Sequence, residues 1–152
     1  NLIIQNYTFS EPSINKLYDR QYITNTITTS TTANSFVDMD SMILTTKCLG
    51  EQATYNITFN AEISTSGRDH GAEFRILIDG KSNPDTIMRY TQSRNSNGLT
   101  KFNCFTINCI AVNLLKDSQI KVQYRRINSG STVYVNLRKL IIDGVRSNEI
   151  IK

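Results

Sequence analysis

Residues 54–64 read TYNITFNAEIS and contain the clearest structural signal in the chain. Apolar side chains occupy every second position, and polar ones fill the positions between them. The apolar set is Tyr55, Ile57, Phe59, Ala61 and Ile63. Because successive side chains of a β-strand point to opposite faces, this period of two predicts a strand with one buried face.

Similar segments follow along the chain. Residues 72–78 alternate in the same way and run into Asp79-Gly80, a strong signal for a tight hairpin turn. Further strands are predicted over 86–92, 99–112, 120–127 and 132–145. No long segment has helical periodicity. Short strands separated by Gly, Asn, Asp and Ser turns are typical of an all-β antiparallel sandwich or jelly roll.

Upstream, residues 23–40 read ITNTITTSTTANSFVDMD and at first resemble a Ser/Thr-rich linker. The run has no Gly or Pro and is rich in Thr and Ile, which are stiff at χ1 and suit a pleated surface. It is therefore predicted to be the first strand, on the outside or edge of a sheet. This divides the chain into an N-terminal extension or stalk-proximal segment at 1–22, a jelly-roll domain at 23–146 and a tail at 147–152.

Composition limits the possible functions. The 152 residues suffice for one domain, and no apolar run reaches the ~18 residues of a membrane-spanning helix, so no membrane insertion is expected. The net charge of +4 is scattered, which favours solvated strand faces and leaves a mild attraction to anionic glycans open. No basic, aromatic surface typical of nucleic-acid binding is found.

Cysteine and histidine usage argues against a metal site. Cys48, Cys104 and Cys109 are expected to be free thiols that act as small buried hydrophobes, in line with assembly in a reducing compartment. His70 is the single histidine, so no zinc set of recognised spacing can form. No cofactor is expected.

No catalytic motif is present either. A general base at His70 would need a nucleophile and an orienting group beside it, and the sequence has no nucleophile elbow or phosphate-binding loop. The chain is therefore predicted not to be an enzyme.

Two strands are apolar on both faces. In 99–112 and 132–145, apolar residues fall on even and odd positions, whereas one face of an antiparallel sheet is normally wet. A second apolar face implies a partner, most simply another copy of the chain, although a covering layer from residues 1–22 is an alternative. The candidates for core or trimer interface are Tyr55, Phe105, Ile107, Tyr134, Leu140 and Ile142.

The order of these segments resembles a known family. TTSTTANSFVDMDSMILTT at 28–46, the alternating strand at 54–64 and LLKDSQIKVQYRR at 114–126 are followed by the apolar closing strand. They resemble, over about residues 26–145, the trimeric jelly-roll heads of viral and phage fibre or collagen-like surface proteins. Those heads are similar in fold to C1q and tumour necrosis factor (TNF).

The resemblance implies a homotrimer. It further implies a non-catalytic head on the virion surface, assembled in the host cytoplasm, that attaches the particle to a host-surface glycan or protein. A purely structural virion or capsid component and a secreted lectin-like adhesin are the alternatives. A depolymerase with carboxylates contributed by several subunits is a further one.

The connections predict where a ligand would bind. In an up-and-down path, loops 65–71, 93–98 and 128–131 gather at one end, and connections 48–52, 80–85 and 113–118 gather at the other. The resemblance places the stalk beside the C-terminus, so the first group forms the exposed apex. Its polar and cationic side chains suit hydroxyl and carboxylate groups. The predicted ligand-binding residues are Arg68, Asp69, His70, Arg94, Asn95 and Asn97.

Overall fold

The computed structural model describes residues 18–47, 52–82, 86–92 and 102–146. These residues form ten β-strands and no α-helix. The strands are β1 (Tyr18–Asn25), β2 (Thr29–Thr31), β3 (Val37–Thr45), β4 (Ala53–Thr65), β5 (Gly71–Ile78), β6 (Lys81–Ser82), β7 (Met88–Thr91), β8 (Asn103–Leu114), β9 (Gln119–Arg126) and β10 (Val133–Arg146). Within the described ranges there is also no helix long and apolar enough to cross a bilayer.

The strands form two antiparallel five-stranded sheets. Sheet A has the order β1-β10-β4-β8, with β2 paired to β10, and sheet B has the order β3-β9-β5-β6, with β7 paired to β5. Apart from the β5–β7 segment, successive long strands alternate between the sheets. This is the connectivity of a jelly roll, as the sequence predicts. The prediction of an up-and-down path is wrong, because consecutive strands are mostly not neighbours.

The core lies between the two sheets. The alternating residues of β4 named above all point inward, and Ile76, Val122 and Leu140 are fully buried with them. Phe74 is close to the rings of Phe59 and Tyr124, with ring centroids 6.3 Å and 6.1 Å apart. Aromatic rings from both sheets therefore fill the centre of the sandwich, where such pairs add to the area they bury.

Strand β10 contains a β-bulge that the sequence pattern hides. Its register against β4 shifts between Val135 and Arg138, so odd positions point inward before the bulge and even positions point inward after it. Val135 and Leu140 consequently lie on the same, buried face. The prediction that Leu140 and Ile142 lie on the opposite face of the strand from Val133 and Val135 is wrong for this reason.

A buried arginine marks the bulge. The Arg138 side chain is fully buried, and its guanidinium donates to the carbonyl oxygens of Asp40 at 3.1 Å and Ile27 at 2.6 Å. Burial lowers the pKa of Arg138, while the nearby Asp40 carboxylate opposes that effect. These bonds tie the bulge to β3 across the sandwich, so the residue is structural.

The start of the domain also differs from the prediction. Strand β1 begins at Tyr18, ahead of the expected boundary at residue 23, and pairs along its whole length with residues 138–145 of β10. Residues 23–40 are not one strand but the end of β1, the short β2, a loop and the start of β3. Both β1 and β3 lie at sheet edges, as expected for a Thr-rich segment. Residues 1–17 and 147–152 lie outside the described ranges.

The described cysteines are free thiols. Cys109 points inward and is half-buried, and burial raises its pKa. Cys104 is exposed on the outside of sheet A, so the prediction that it is a buried hydrophobe is wrong. Cys48 falls outside the described residues.

Candidate binding site

The apical end of the sandwich is the end formed by loops 65–71 and 128–131. Hydrogen bonds join them directly: Ser66 N donates to Thr132 O at 2.9 Å, and Gly71 N donates to the Asn128 side-chain oxygen at 2.7 Å. Gln92, at the start of the predicted 93–98 loop, donates through its backbone N to His70 O at 2.9 Å. The structure thus brings two of the predicted apical loops together.

Local geometry shapes the loop that carries Arg68, Asp69 and His70. Asp69 has a left-handed backbone with φ 62°, and His70 N closes the turn on Gly67 O at 3.3 Å. A Cβ added to Gly67 would lie 2.5 Å from the His70 ring, so the imidazole packs where only glycine leaves room. Arg68 and Asp69 are exposed.

The other predicted ligand-binding residues, Arg94, Asn95 and Asn97, lie outside the described residues. Gln92 and Ser131, which were not predicted from the sequence, are nearly fully buried at this same end. Gln92 Nε2, Ser131 Oγ and His70 Nδ1 are buried and find no hydrogen-bond partner in the described part of the chain. Buried polar atoms without a partner are uncommon in folded proteins, which singles out this end of the sandwich.

The basal end lies opposite. Thr46 N donates to Ser118 O and Asp79 N to Gln119 O, at 2.9 Å and 2.8 Å, which brings the other set of connections together. Tyr18 pairs with Val145, so the chain enters β1 and leaves β10 side by side at this end. Asp19 is buried there and accepts hydrogen bonds from the Tyr55 hydroxyl and from Lys47 N.

The predicted interface candidates belong mainly to the core. Tyr55, Ile107, Leu140 and Ile142 are buried between the sheets, and Phe105 packs partly buried against them. Tyr134 alone of the six points away from the core, since it lies between the inward-facing Val133 and Val135.

The outer surface of sheet A, called face A here, has low charge density. Its exposed apolar side chains include Tyr22 and Ile110, which are 69% and 66% exposed. Between them lie uncharged side chains that form cross-strand hydrogen bonds. Thr106 Oγ1, for example, donates to Asn60 Oδ1 at 2.8 Å. Face A is formed by Tyr18, Arg20, Tyr22, Thr24, Thr54, Asn56, Thr58, Asn60, Glu62, Cys104, Thr106, Asn108, Ile110, Val112, Tyr134, Lys139, Ile141, Asp143 and Val145.

A shallow groove of about 530 Å³ crosses face A next to the β10 bulge. Asn60, Glu62, Thr106 and Lys139 supply polar groups, and Leu137 supplies an apolar wall. Glu62 accepts a hydrogen bond from the Asn136 amide at 3.3 Å. A second, smaller depression of about 350 Å³ lies nearer the basal end of face A, beside Tyr18, Asn56 and Ile110.

The outer surface of sheet B, called face B here, is rich in arginine. Arg75 Cζ lies 4.1 Å and Arg125 Cζ 5.0 Å from the centroid of the Phe36 ring. Face B is formed by Phe36, Asp38, Ile43, Glu73, Arg75, Leu77, Arg89, Lys121, Gln123 and Arg125. The sequence did not reveal this cluster, because its members come from four strands and the segment before β3.

Both carboxylates of face B are held in the charged form. Hydrogen bonds from Gln123 and then Lys121 lower the pKa of Asp38. For Glu73, partial burial acts to raise the pKa, but hydrogen bonds from Arg89 and Arg125 outweigh it, so the pKa lies below its ordinary value. Among the described residues, no group of His, Cys, Asp and Glu side chains could hold a metal ion.

Comparisons with known proteins find similar solved structures but no match by sequence. No family model and no curated protein matches the chain. The infectious bursal disease virus VP2 subviral particle matches with TM-score 0.54 and 13% identity, over 86% of this chain and 33% of that one. PRD1 vertex protein P5 matches with TM-score 0.52 and 11% identity, over 86% of this chain and 99% of that one.

A further similar structure is dimeric latent PorU from Porphyromonas gingivalis, with TM-score 0.54 and 10% identity. It covers 85% of this chain and 13% of that one. The chain thus spans about an eighth of PorU and a third of VP2. At these identities the comparisons establish the jelly-roll fold.

Proposed function

We propose that the chain is a non-catalytic, C1q/TNF-like head domain of a viral or phage fibre or related virion surface protein. It forms a homotrimer, is assembled in the host cytoplasm, and attaches the particle to a glycan or protein on the host surface. The use of jelly rolls in virus particles, as in VP2 and P5, supports this assignment.

The observation that carries the proposal is the separation of the two ends. The chain enters and leaves at the basal end, beside Tyr18 and Val145, while the exposed Arg68 and Asp69 lie at the apical end. A support joined at the basal end would leave the apical loops facing outward. Loops on a rigid sandwich are where binding residues concentrate.

Face A supports the homotrimer. Its charged side chains are two cations and two carboxylates, namely Arg20, Glu62, Lys139 and Asp143, spread over three strands. Exposed tyrosine and isoleucine with few charges are typical of the centre of a protein interface. We therefore place the contact between subunits on face A, which leaves the apical loops and face B accessible.

At the apical end, Arg68 and Asp69 would bind the ligand from the surface, and the buried polar atoms of His70, Gln92 and Ser131 would bind a group inserted between the loops. Arginine suits carboxylates, and short polar groups suit hydroxyls. A glycan presents both kinds of group.

The test is a printed glycan array probed with the purified chain, together with a reducing-end assay on the polysaccharides it binds. We expect binding without cleavage, and we expect Arg68→Ala/Arg94→Ala to weaken it by about tenfold, which is about 1.4 kcal/mol. The control Lys47→Ala/Lys116→Ala removes the same charge at the basal end and should bind normally.

Three results would contradict parts of this proposal. Cleavage that a single Asp or Glu substitution abolishes would show an enzyme. Unchanged binding by the apical variant, with its mass and melting temperature intact, would move the site away from the apex. A trimer that binds neither glycans nor host cells would favour a purely structural virion component.

A further inference from the structure

Face B carries an excess of positive charge that its own carboxylates do not neutralise. Four cations, Arg75, Arg89, Lys121 and Arg125, face two carboxylates. Hydrogen bonds hold the pKa of both Asp38 and Glu73 low, so both carboxylates carry a negative charge at neutral pH. Face B therefore has a net charge of about +2 at neutral pH.

The hydrogen bonds show which cations are available. Glu73 is shared by Arg89, at 2.9 Å, and by Arg125, so two guanidinium groups satisfy one carboxylate. Arg75 donates from Nε and Nη2 to Gln123 Oε1, at 2.9 Å and 2.7 Å, and that acceptor is a neutral amide. These two hydrogen bonds fix the position of Arg75 and leave its charge uncompensated.

Phe36 makes the arrangement rigid. The guanidinium groups of Arg75 and Arg125 both lie close to its ring. The ring holds the two groups near each other by cation–π contact. A guanidinium that is already ordered loses little conformational entropy when it binds an anion. The strand register places the Arg89–Glu73–Arg125 row beside the Arg75–Gln123 pair on the sheet surface.

We infer that face B binds a linear sulfated polysaccharide. This rests on the proposed function, since such a glycan is encountered on a host surface. The flat, extended face suits a polymer chain, and the paired guanidinium donors suit the oxygens of sulfate groups. Phe36 is partly buried and in cation–π contact with two arginines, so its ring is less available to a bilayer than a free aromatic side chain, which disfavours an anionic membrane as the occupant.

A double substitution removes this charge without leaving a carboxylate unpaired. In Arg75→Ala/Arg89→Ala, Glu73 keeps its bond to Arg125, and Gln123 keeps its bond to Asp38. The matched control is Lys47→Ala/Lys116→Ala, which lowers the net charge equally with exposed lysines away from face B. Circular dichroism melts verify that both variants fold.

The probe is a heparin dodecasaccharide, measured by calorimetry across a series of NaCl concentrations, beside its fully desulfated form, a DNA duplex and phosphatidylserine vesicles. We expect the wild-type chain to prefer the sulfated form and the face B variant to lose about tenfold or more in affinity, with a smaller salt dependence. The basal control should bind like wild type.

An equal loss in the basal control would overturn the inference, because net charge alone would then explain binding. Equal or tighter binding to DNA or to vesicles would overturn it too, since the occupant would be of another class. Heparin binding without attachment to host cells would reject the proposed function and leave this site standing. Attachment that survives in the face B variant, with no heparin binding by the wild type, would reject this site alone.

Discussion

The two outer faces of the sandwich differ although the sheets beneath them are built alike. Face A offers exposed tyrosine and isoleucine, neutral Thr and Asn ladders, and balanced charge, whereas face B offers an arginine cluster around Phe36. In both sheets, the pleat commits every second residue to the shared core. The fold therefore constrains one half of each strand, and we propose that the other half specifies assembly on face A and recognition on face B.

The largest expected effect is the difference in stability between the same substitution at a core position and at the adjacent position on face A. Ile142 is fully buried and Ile141, next to it in β10, points to face A. Ile142→Asp buries a charge without a partner and should cost about 4 kcal/mol or more, enough to prevent folding. Ile141→Asp should cost about 1 kcal/mol and give a folded monomer. Denaturant unfolding measures both, and equal costs would contradict the assigned register.

An intermediate effect concerns the free energy of unfolding at low pH, to which Glu73 on face B should contribute. Its pKa is lower in the folded state than in the unfolded state, so its contribution is present above the unfolded value, about 4.3, and is lost as pH falls through the folded value. Glu73→Gln should therefore reduce the loss of stability below about pH 4.3. Thermal melts from pH 7 to pH 3 measure this, and an unchanged acid profile would contradict the role of the Arg89–Glu73–Arg125 cluster.

The smallest effect is a difference in thiol reactivity that reports on face A without changing stability. Cys104 is exposed on this face in the isolated chain. If face A is the subunit contact, iodoacetamide should modify Cys104 slowly in the wild type and rapidly in Ile110→Asp. A cysteine on face B, introduced as Arg89→Cys, should react at the same rate in both backgrounds. Peptide mass spectrometry separates these sites from Cys48 and Cys109, and equal Cys104 rates would count against the contact.

The sequence was informative wherever apolar and polar residues alternated without interruption along a whole strand. The alternating positions of β4 and the turn after β5 identified the jelly roll, because burial of one strand face produces a regular alternation of apolar and polar residues. The β10 bulge could not be foreseen, since an extra residue reverses the parity and imitates a strand with two apolar faces. The prediction that the even-numbered residues Tyr134, Leu140 and Ile142 share one side of that strand was wrong for this reason.

The binding surfaces were less predictable than the fold. Loop 65–71 stood out by its local composition, and the structure joins it to loop 128–131. Face B had no local signal, because Phe36, Arg75 and Arg125 are distant in sequence and meet only when β9 pairs with both β3 and β5. Gln92 and Ser131 carry no sequence feature that separates them from other polar residues.

The most direct test of the account is the mass of the assembled protein in two matched variants. Ile110 lies on face A and Ile43 on face B, 66% and 44% exposed, so an aspartate at either position should be tolerated by the fold. Sedimentation equilibrium at micromolar concentration should give a trimer for the wild type and for Ile43→Asp, and a monomer for Ile110→Asp. A monomeric wild type, or a trimer lost in Ile43→Asp and kept in Ile110→Asp, would contradict the assignment of face A to assembly and face B to recognition.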